Sequence, residues 1–183
     1  ATVKVEVLTK ELNTPFGMVF LPDGRLLITE RDGRLRFWSK GKLSEPVKNT
    51  PKPHVQQDGG YLDVTIHPKY AQNGWIYLSY SEDQPGYVAP PPAPAAAAPP
   101  APAPAPGGGG FPGRGGRGGP PQVPSMTVVV RGKINKSNEW VQDKFIFRAA
   151  PDLYTTQGAH YGSRFAWDKE GHLFFTMGER GNQ

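Results

Sequence analysis

Of the four histidines in this chain, His160 stands in the setting best suited to proton transfer. It lies in Gln157-Gly158-Ala159-His160-Tyr161-Gly162-Ser163-Arg164, a polar, glycine-flanked segment leading into an apolar run. An imidazole titrates near neutrality and can act as a base if it comes within hydrogen-bond reach of a hydroxyl. A purely structural role for a lone histidine competes with that reading. His67 precedes Pro68 at a strand-to-turn corner and reads as structural. His172 occupies a turn and reads as solvated, and His54 belongs to the loop Pro51-Lys52-Pro53-His54. Glu30 and Glu179 stand in similar places, in Thr29-Glu30-Arg31 and Gly178-Glu179-Arg180. That likeness points to a repeated structural ion pair or turn contact rather than a catalytic dyad. Asp63, inside Leu62-Asp63-Val64, should face away from its two neighbours because strand side chains alternate. It is placed to bond the backbone of an adjacent unit. No cysteine, phosphate loop, dinucleotide glycine fingerprint or His-Glu-x-x-His zinc motif occurs in the sequence.

The elements that must position these residues read as short strands between turns, with no 11-residue window carrying a helical stripe. One pattern recurs. Phe16–Thr29 is an apolar strand, a polar turn and a second apolar strand ending in Thr. Leu62–Pro68 followed by Asn73–Ser79 is a second copy, and Ser163–Asp168 followed by Glu170–Thr176 is a third. Each turn carries a glycine, at 24, 74 and 171, as expected where the backbone needs a positive φ. The first spacing is 74 − 24 = 50. The second is 171 − 74 = 97, or 57 once a 40-residue insertion is set aside. Repeats of about 50 residues with several strands each predict an all-β fold, a β-propeller. Such rings close with about 4–8 blades, so this chain is expected to supply roughly the first three.

The insertion spans 85–124. It holds 14 of the 21 Pro, 10 of the 23 Gly and 9 Ala, so 33 of its 40 residues are of these three types. Such a segment has too few side chains to offset the entropy of ordering it. The predicted organisation is therefore propeller blades over 1–84, a Pro/Ala/Gly-rich loop over 85–124, and blades again over 125–183. Net charge is +5, of which Arg114 and Arg117 in the insertion supply two. That mild balance does not predict a nucleic-acid binder, and two Arg-Gly-Gly steps near Phe111 add little to it. No apolar run reaches the ~18 residues of a membrane span. A start at Ala1 without an initiator Met fits either a cleaved export leader or a chain boundary.

Together the motifs resemble the soluble glucose/sorbosone dehydrogenases, also called aldose sugar dehydrogenases. Pro15–Arg31 resembles the opening blade, Gly59–Pro68 with Asn73–Tyr80 the second, and His160–Arg164 through Thr176–Arg180 the blade that carries the active site. The resemblance implies a six-bladed propeller, pyrroloquinoline quinone (PQQ) as redox cofactor, Ca²⁺ to seat it, and a periplasmic or secreted address. It implies His160 as the general base that takes a sugar's anomeric proton while hydride leaves C1 for the quinone, giving the lactone. Gln57, Asp58, Arg164 and Gln183 are the implied sugar contacts. The ligands of PQQ and Ca²⁺ are expected in a C-terminal part of the same protein, so this chain alone should be inactive. The electron acceptor is not implied. Two departures stand out: Asp58 replaces the usual Gln before Gly59-Gly60, and Ala159 replaces the acid that precedes the histidine in glucose-active members. The alternative is a non-catalytic propeller scaffold whose Pro-rich arm docks a partner.

Overall fold

The computed structural model describes residues 2–89 and 122–181. Ten strands form three antiparallel sheets. The first is β1 (Pro15–Phe20), β2 (Leu26–Glu30), β3 (Arg34–Ser39) and β4 (Lys42–Leu43), in that order. The second is β5 (Tyr61–Ile66), β6 (Ile76–Asp83), β7 (Ser125–Ile134) and β8 (Trp140–Phe147), and the third pairs β9 (Gly162–Trp167) with β10 (Leu173–Met177). Strands β1, β5 and β9 pack in succession against one another. The sheets therefore fan out from a shared inner edge, which is the arrangement of a propeller. The described residues make two complete blades and the inner half of a third. The long insertion falls outside the described residues for most of its length. Its flanks β6 and β7 pair from Ile76 with Gly132 to Asp83 with Ser125.

The recurrent pattern in the sequence has a physical basis. Each inner strand carries a bulge at the same place: between Pro15 and Met18, between Tyr61 and Val64, and in the β9 stretch opposite Phe175–Met177. A bulge leaves a backbone N–H out of the ladder. In the first blade Thr29 Oγ1 accepts the Gly17 N–H at 2.9 Å and donates to the Leu62 carbonyl of the second blade at 2.7 Å. In the second, Ser79 Oγ accepts the Asp63 N–H at 2.9 Å. In both blades a hydroxyl of the second strand thus satisfies the bulge of the first. The turn glycines 24, 74 and 171 all have positive φ, at 84°, 67° and 90°. The expectation of no helix is corrected on one point: Tyr70–Asn73 forms a single α turn, closed by Gly74, whose N–H bonds the Tyr70 carbonyl. One turn is too short to leave a stripe in the sequence.

The core lies between the first two blades. Leu21, Leu27, Leu35, Phe37 and Val47 of the first meet Tyr61, Val64, Ile76, Leu78, Tyr80, Val128, Val130 and Trp140 of the second. The second and third blades meet through aromatic side chains, with Trp167 edge-on to Tyr77 and His67 at centroid distances of 5.1 and 5.4 Å. At the free flanks, Phe16, Met18 and Phe20 of β1 and Phe174 of β10 point their apolar side chains outward. In a closed ring such faces pack against the next blade.

Asp63 joins the second blade to the third, as its place in the strand predicts. Its carboxylate is buried. Oδ2 accepts the Phe165 N–H at 2.8 Å and Oδ1 pairs with Arg164 Nη1 at 3.0 Å. Its neighbour on the other side is Gly17, where a Cβ would fall 2.6 Å from Asp63 Oδ1. Loss of a buried acceptor leaves its donor unpaired, at a cost of about 1–3 kcal/mol. Asp63→Ala is therefore expected to lower the unfolding free energy by about 2 kcal/mol, and Asp63→Asn by less, since one oxygen remains. Urea unfolding monitored by tryptophan fluorescence reads this directly. An Asp63→Ala midpoint equal to that of the parent protein would show that the blades do not depend on this carboxylate.

Candidate active site around His160

Four segments at one end of the blades interlock: the residues after β2, the segment before β5, the segment before β9 and the residues after β10. Each contact is close. A Cβ on Gly60 would fall 2.1 Å from the Arg31 carbonyl oxygen, and one on Gly158 would fall 2.5 Å from Gln57 Oε1. Arg31 Nη1 donates to the Gln57 carbonyl, and the Asp58 N–H bonds the Gly158 carbonyl at 3.0 Å. The His160 N–H points to Asp58 Oδ2 at 3.4 Å. Gln57 and His160 both hold a left-handed φ, 50° and 54°. Non-glycine residues adopt that conformation only where their surroundings impose it, and such residues concentrate at functional sites.

The His160 side chain is 60% exposed, and its Nδ1 makes a short hydrogen bond to Glu179 Oε1. With Nδ1–H donated to a carboxylate, Nε2 is the basic nitrogen. The hydrogen bond and charge of Glu179 raise the His160 pKa above its ordinary 6.5, and the Asp58 charge adds to this. The same hydrogen bond holds Glu179 below the ordinary 4.5. The site thus offers an oriented, strengthened base at a solvent-open surface, with carboxylate and amide acceptors beside it.

The sequence-predicted residues are distributed as follows. Gln57, Asp58 and His160 come together. Arg164 sits further along β9, with its guanidinium on Asp63 and its side chain 65% exposed. Gln183 lies outside the described residues, as do Arg114, Arg117 and Phe111. The likeness of Glu30 and Glu179 does not hold in register. Glu30 pairs with Pro15 across β1 and β2, and the corresponding pair in the third blade is Met177 with Gly162. Glu30 is fully buried and engages Arg34, Arg36 and the Asn13 N–H, so it is the expected structural ion pair. Glu179 lies two residues beyond the strand and serves His160 instead. His67 is structural, its Nδ1 accepting the Lys69 N–H at 2.9 Å beneath Trp167. His54 is buried with Nδ1 2.5 Å from Asp83 Oδ1. His172 is exposed on Asp168.

Sequence reasoning missed Glu179 as the partner of His160. It also missed Arg180, which is buried beneath the His160 segment. The only signal for either was their shared place in Gly178-Glu179-Arg180 after an apolar strand. Among the described residues no group of three or more His, Asp or Glu is arranged to hold a metal ion. Three clefts of about 320, 330 and 400 Å³ lie elsewhere, lined by residues that do not include His160. An axial propeller cavity needs all its blades as walls, so two and a half blades leave this site as open surface.

The model of the family described as Glucose / Sorbosone dehydrogenase matches residues 12–183. Aldose sugar dehydrogenase YliI of Escherichia coli (strain K12) is 35% identical over 182 residues, covering 98% of this chain and 39% of that protein. A crystal structure of glucose dehydrogenase superposes with a TM-score of 0.73 at 28% identity, over 98% of this chain and 42% of the other. The PQQ-bound form of aldose sugar dehydrogenase from Streptomyces coelicolor superposes with a TM-score of 0.65 at 18% identity, over 97% and 42%. This last likeness speaks to fold alone. The chain thus spans about two fifths of the length of these proteins, close to the share that two and a half blades take of a ring of six. No helix among the described residues is long and apolar enough to cross a membrane.

Proposed function

This chain belongs to the glucose/sorbosone dehydrogenase family, and from that membership we propose that it is the N-terminal part of a PQQ-dependent aldose dehydrogenase acting in the periplasm or outside the cell. Its substrate is an aldose oxidised at C1 to the lactone, and His160 is the general base. The observation that carries this reading is the pairing of Glu179 with Nδ1 of an exposed His160, which leaves Nε2 as the basic nitrogen, on a residue whose backbone N–H points to Asp58.

The donor set suits the sugar side of such a reaction. An imidazole accepts the hydroxyl proton, while a carboxylate and an amide accept or donate hydrogen bonds to ring hydroxyls. Bound PQQ supplies the two-electron acceptor that the side chains here do not provide. We assign no residue of this chain to hold PQQ or Ca²⁺; both seats belong to later blades of the same protein. Neutral Nε2 takes the C1 hydroxyl proton, and Glu179 keeps the ring in the orientation and tautomer that expose that nitrogen. Asp58 fills, from the neighbouring loop, the acidic role for which Ala159 has no group. Arg164, extended along the same inner strand, and Gln183 are proposed to complete the sugar contacts.

The experiment is to load the whole protein with PQQ and Ca²⁺ and to supply aldoses with an artificial dye. Dye reduction dependent on both sugar and quinone supports the assignment. Quinone binding without turnover of any aldose would point instead to a binding scaffold.

The pH dependence follows from the Glu179 pairing. A base must be neutral to work, so the rate is expected to rise with pH through the raised His160 pKa. Glu179→Gln removes the largest cause of that rise. Its acid limb should move to lower pH while its plateau rate falls, because the ring is less basic and less firmly held. The ion pair itself adds stability only between the pKa values of its partners, being lost as pH rises through that of His160 or falls through that of Glu179. A pH profile of Glu179→Gln that overlays the parent's would remove Glu179 from the mechanism.

A further inference from the structure

We infer that Arg180 is the positioning residue of this site: its guanidinium holds the backbone of the 157–161 segment in the one conformation that presents His160 to the substrate. The inference deepens the function proposed above and rests on it. Arg180 is 2% exposed, yet no acidic side chain pairs with it among the described residues. Its nearest partners are instead backbone carbonyls and an aromatic face. Nε donates to the Ala159 carbonyl at 3.0 Å, Nη2 to the Gln157 carbonyl, and Nη1 to the Ser125 carbonyl at 2.7 Å. The guanidinium carbon stands 3.7 Å over the Tyr161 ring.

These contacts bracket His160 on both sides, at 157, 159 and 161. The Tyr161 hydroxyl is in turn 2.6 Å from Ser125 Oγ, and its carbonyl accepts from both Thr127 Oγ1 and the Gly178 N–H. A buried cation without a carboxylate is costly, and it persists where carbonyl dipoles and a π face compensate it together. Two of the three carbonyls and the π face belong to the segment that carries the base; the rest of the cradle is the Ser125 carbonyl, with longer contacts to Ser125 Oγ at 3.5 Å and Met126 Sδ at 3.6 Å. The fork matters as much as the charge. Three nitrogens reach three carbonyls at once while the plane stacks on a ring, and an ammonium has neither geometry. Arg180 is also the residue after Glu179, so the same turn fixes both the imidazole's backbone and its carboxylate partner. Arg180 touches no reacting atom. It acts through His160, against which Glu179 and Asp58 supply the charges.

The test is Arg180→Lys in the whole protein, labelled with [¹³Cε1]histidine, with the His160 resonance identified by its loss in His160→Gln. The expected result is a His160 titration midpoint displaced from the parent's toward the ordinary value, as the Glu179 contact loosens. With PQQ and aldose, kcat should fall about 10–100-fold, the range a misplacement of about 1 Å brings, and KM should stay within about threefold. A merely structural arginine would not move the midpoint while the folded fraction is unchanged. An unchanged midpoint with kcat at the parent's value overturns the inference, as does a loss of rate that only tracks a loss of folded protein. If Arg180→Lys does not fold, Tyr161→Leu removes the stacking face instead and is expected to shift the midpoint in the same sense; an unchanged midpoint there is equally decisive against it. The titration needs no turnover. If the parent protein oxidises no aldose, the dehydrogenase reading falls while the midpoint still decides the role of Arg180.

Discussion

His160→Ala is expected to lower sugar-dependent dye reduction by the PQQ-loaded whole protein by about 10²–10⁴-fold, the range that loss of a general base brings. The argument for so large an effect on rate is also an argument for a small effect on the fold. The imidazole is mostly exposed and its hydrogen-bond partner Glu179 is itself half-exposed, so removing it opens no cavity and strands no buried charge. Thermal melting and quinone affinity should therefore stay near those of the parent while the chemical step fails. His67→Ala is the instructive contrast. That ring packs edge-on to Trp167 and alongside Tyr77 between two blades, so its loss should lower stability and leave the rate per folded molecule alone. If His160→Ala turns over within twofold of the parent, this residue is not the base.

Gly178→Ala is expected to cost about 10²-fold in the same assay, although it adds a single uncharged methyl group. A Cβ at this position would lie 1.7 Å from the His160 carbonyl oxygen and 2.5 Å from its carbonyl carbon. Both atoms belong to the backbone, so no side-chain rotation relieves the overlap, and the His160 segment must move away from β10. Positional errors of about 1 Å in catalytic groups carry penalties of this order. The appropriate control is Gly171→Ala, at a turn where a Cβ meets nothing within 4 Å but φ is +90°. That change should cost about 1 kcal/mol of stability through backbone strain with little effect on turnover. Equal rates for the two variants would mean that the approach of Gly178 to His160 has no bearing on the chemistry.

Much of the fold was legible because its repeat is written in residue types with local physical duties. The turn glycines at 24, 74 and 171 take positive φ, and the hydroxyls at 29 and 79 satisfy the N–H groups of strand bulges. Asp63 alternates out of its strand and finds the next blade's backbone. Each of these is a short-range consequence of strand geometry. The single helical turn at Tyr70–Asn73 was not legible, since four residues cannot display a period of 3.6.

The site was read only in part, for a different reason. His160 is conspicuous by type and by its glycine-flanked setting, and Gln57 and Asp58 stand next to a recognisable Gly-Gly pair. Glu179 is not legible from its sequence offset, because offset is not register. Glu30 ends its strand inside the sheet, whereas Glu179 lies two residues past the end of its own, where the chain turns toward the His160 segment. Arg180 escapes notice because an arginine three residues beyond a strand usually reads as solvated surface. Only the folded arrangement shows it buried among the carbonyls of residues some twenty positions earlier. The Pro/Ala/Gly-rich segment, and with it the idea of a docking arm, lies largely outside the described residues.

The most direct test of the account is a crystal structure of the whole protein with PQQ and an aldose or its lactone. The account predicts His160 Nε2 within hydrogen-bond distance of the C1 oxygen, Nδ1 on Glu179, and Asp58 or Gln57 on a neighbouring hydroxyl. A sugar whose C1 lies against other residues, with His160 out of reach, would contradict it.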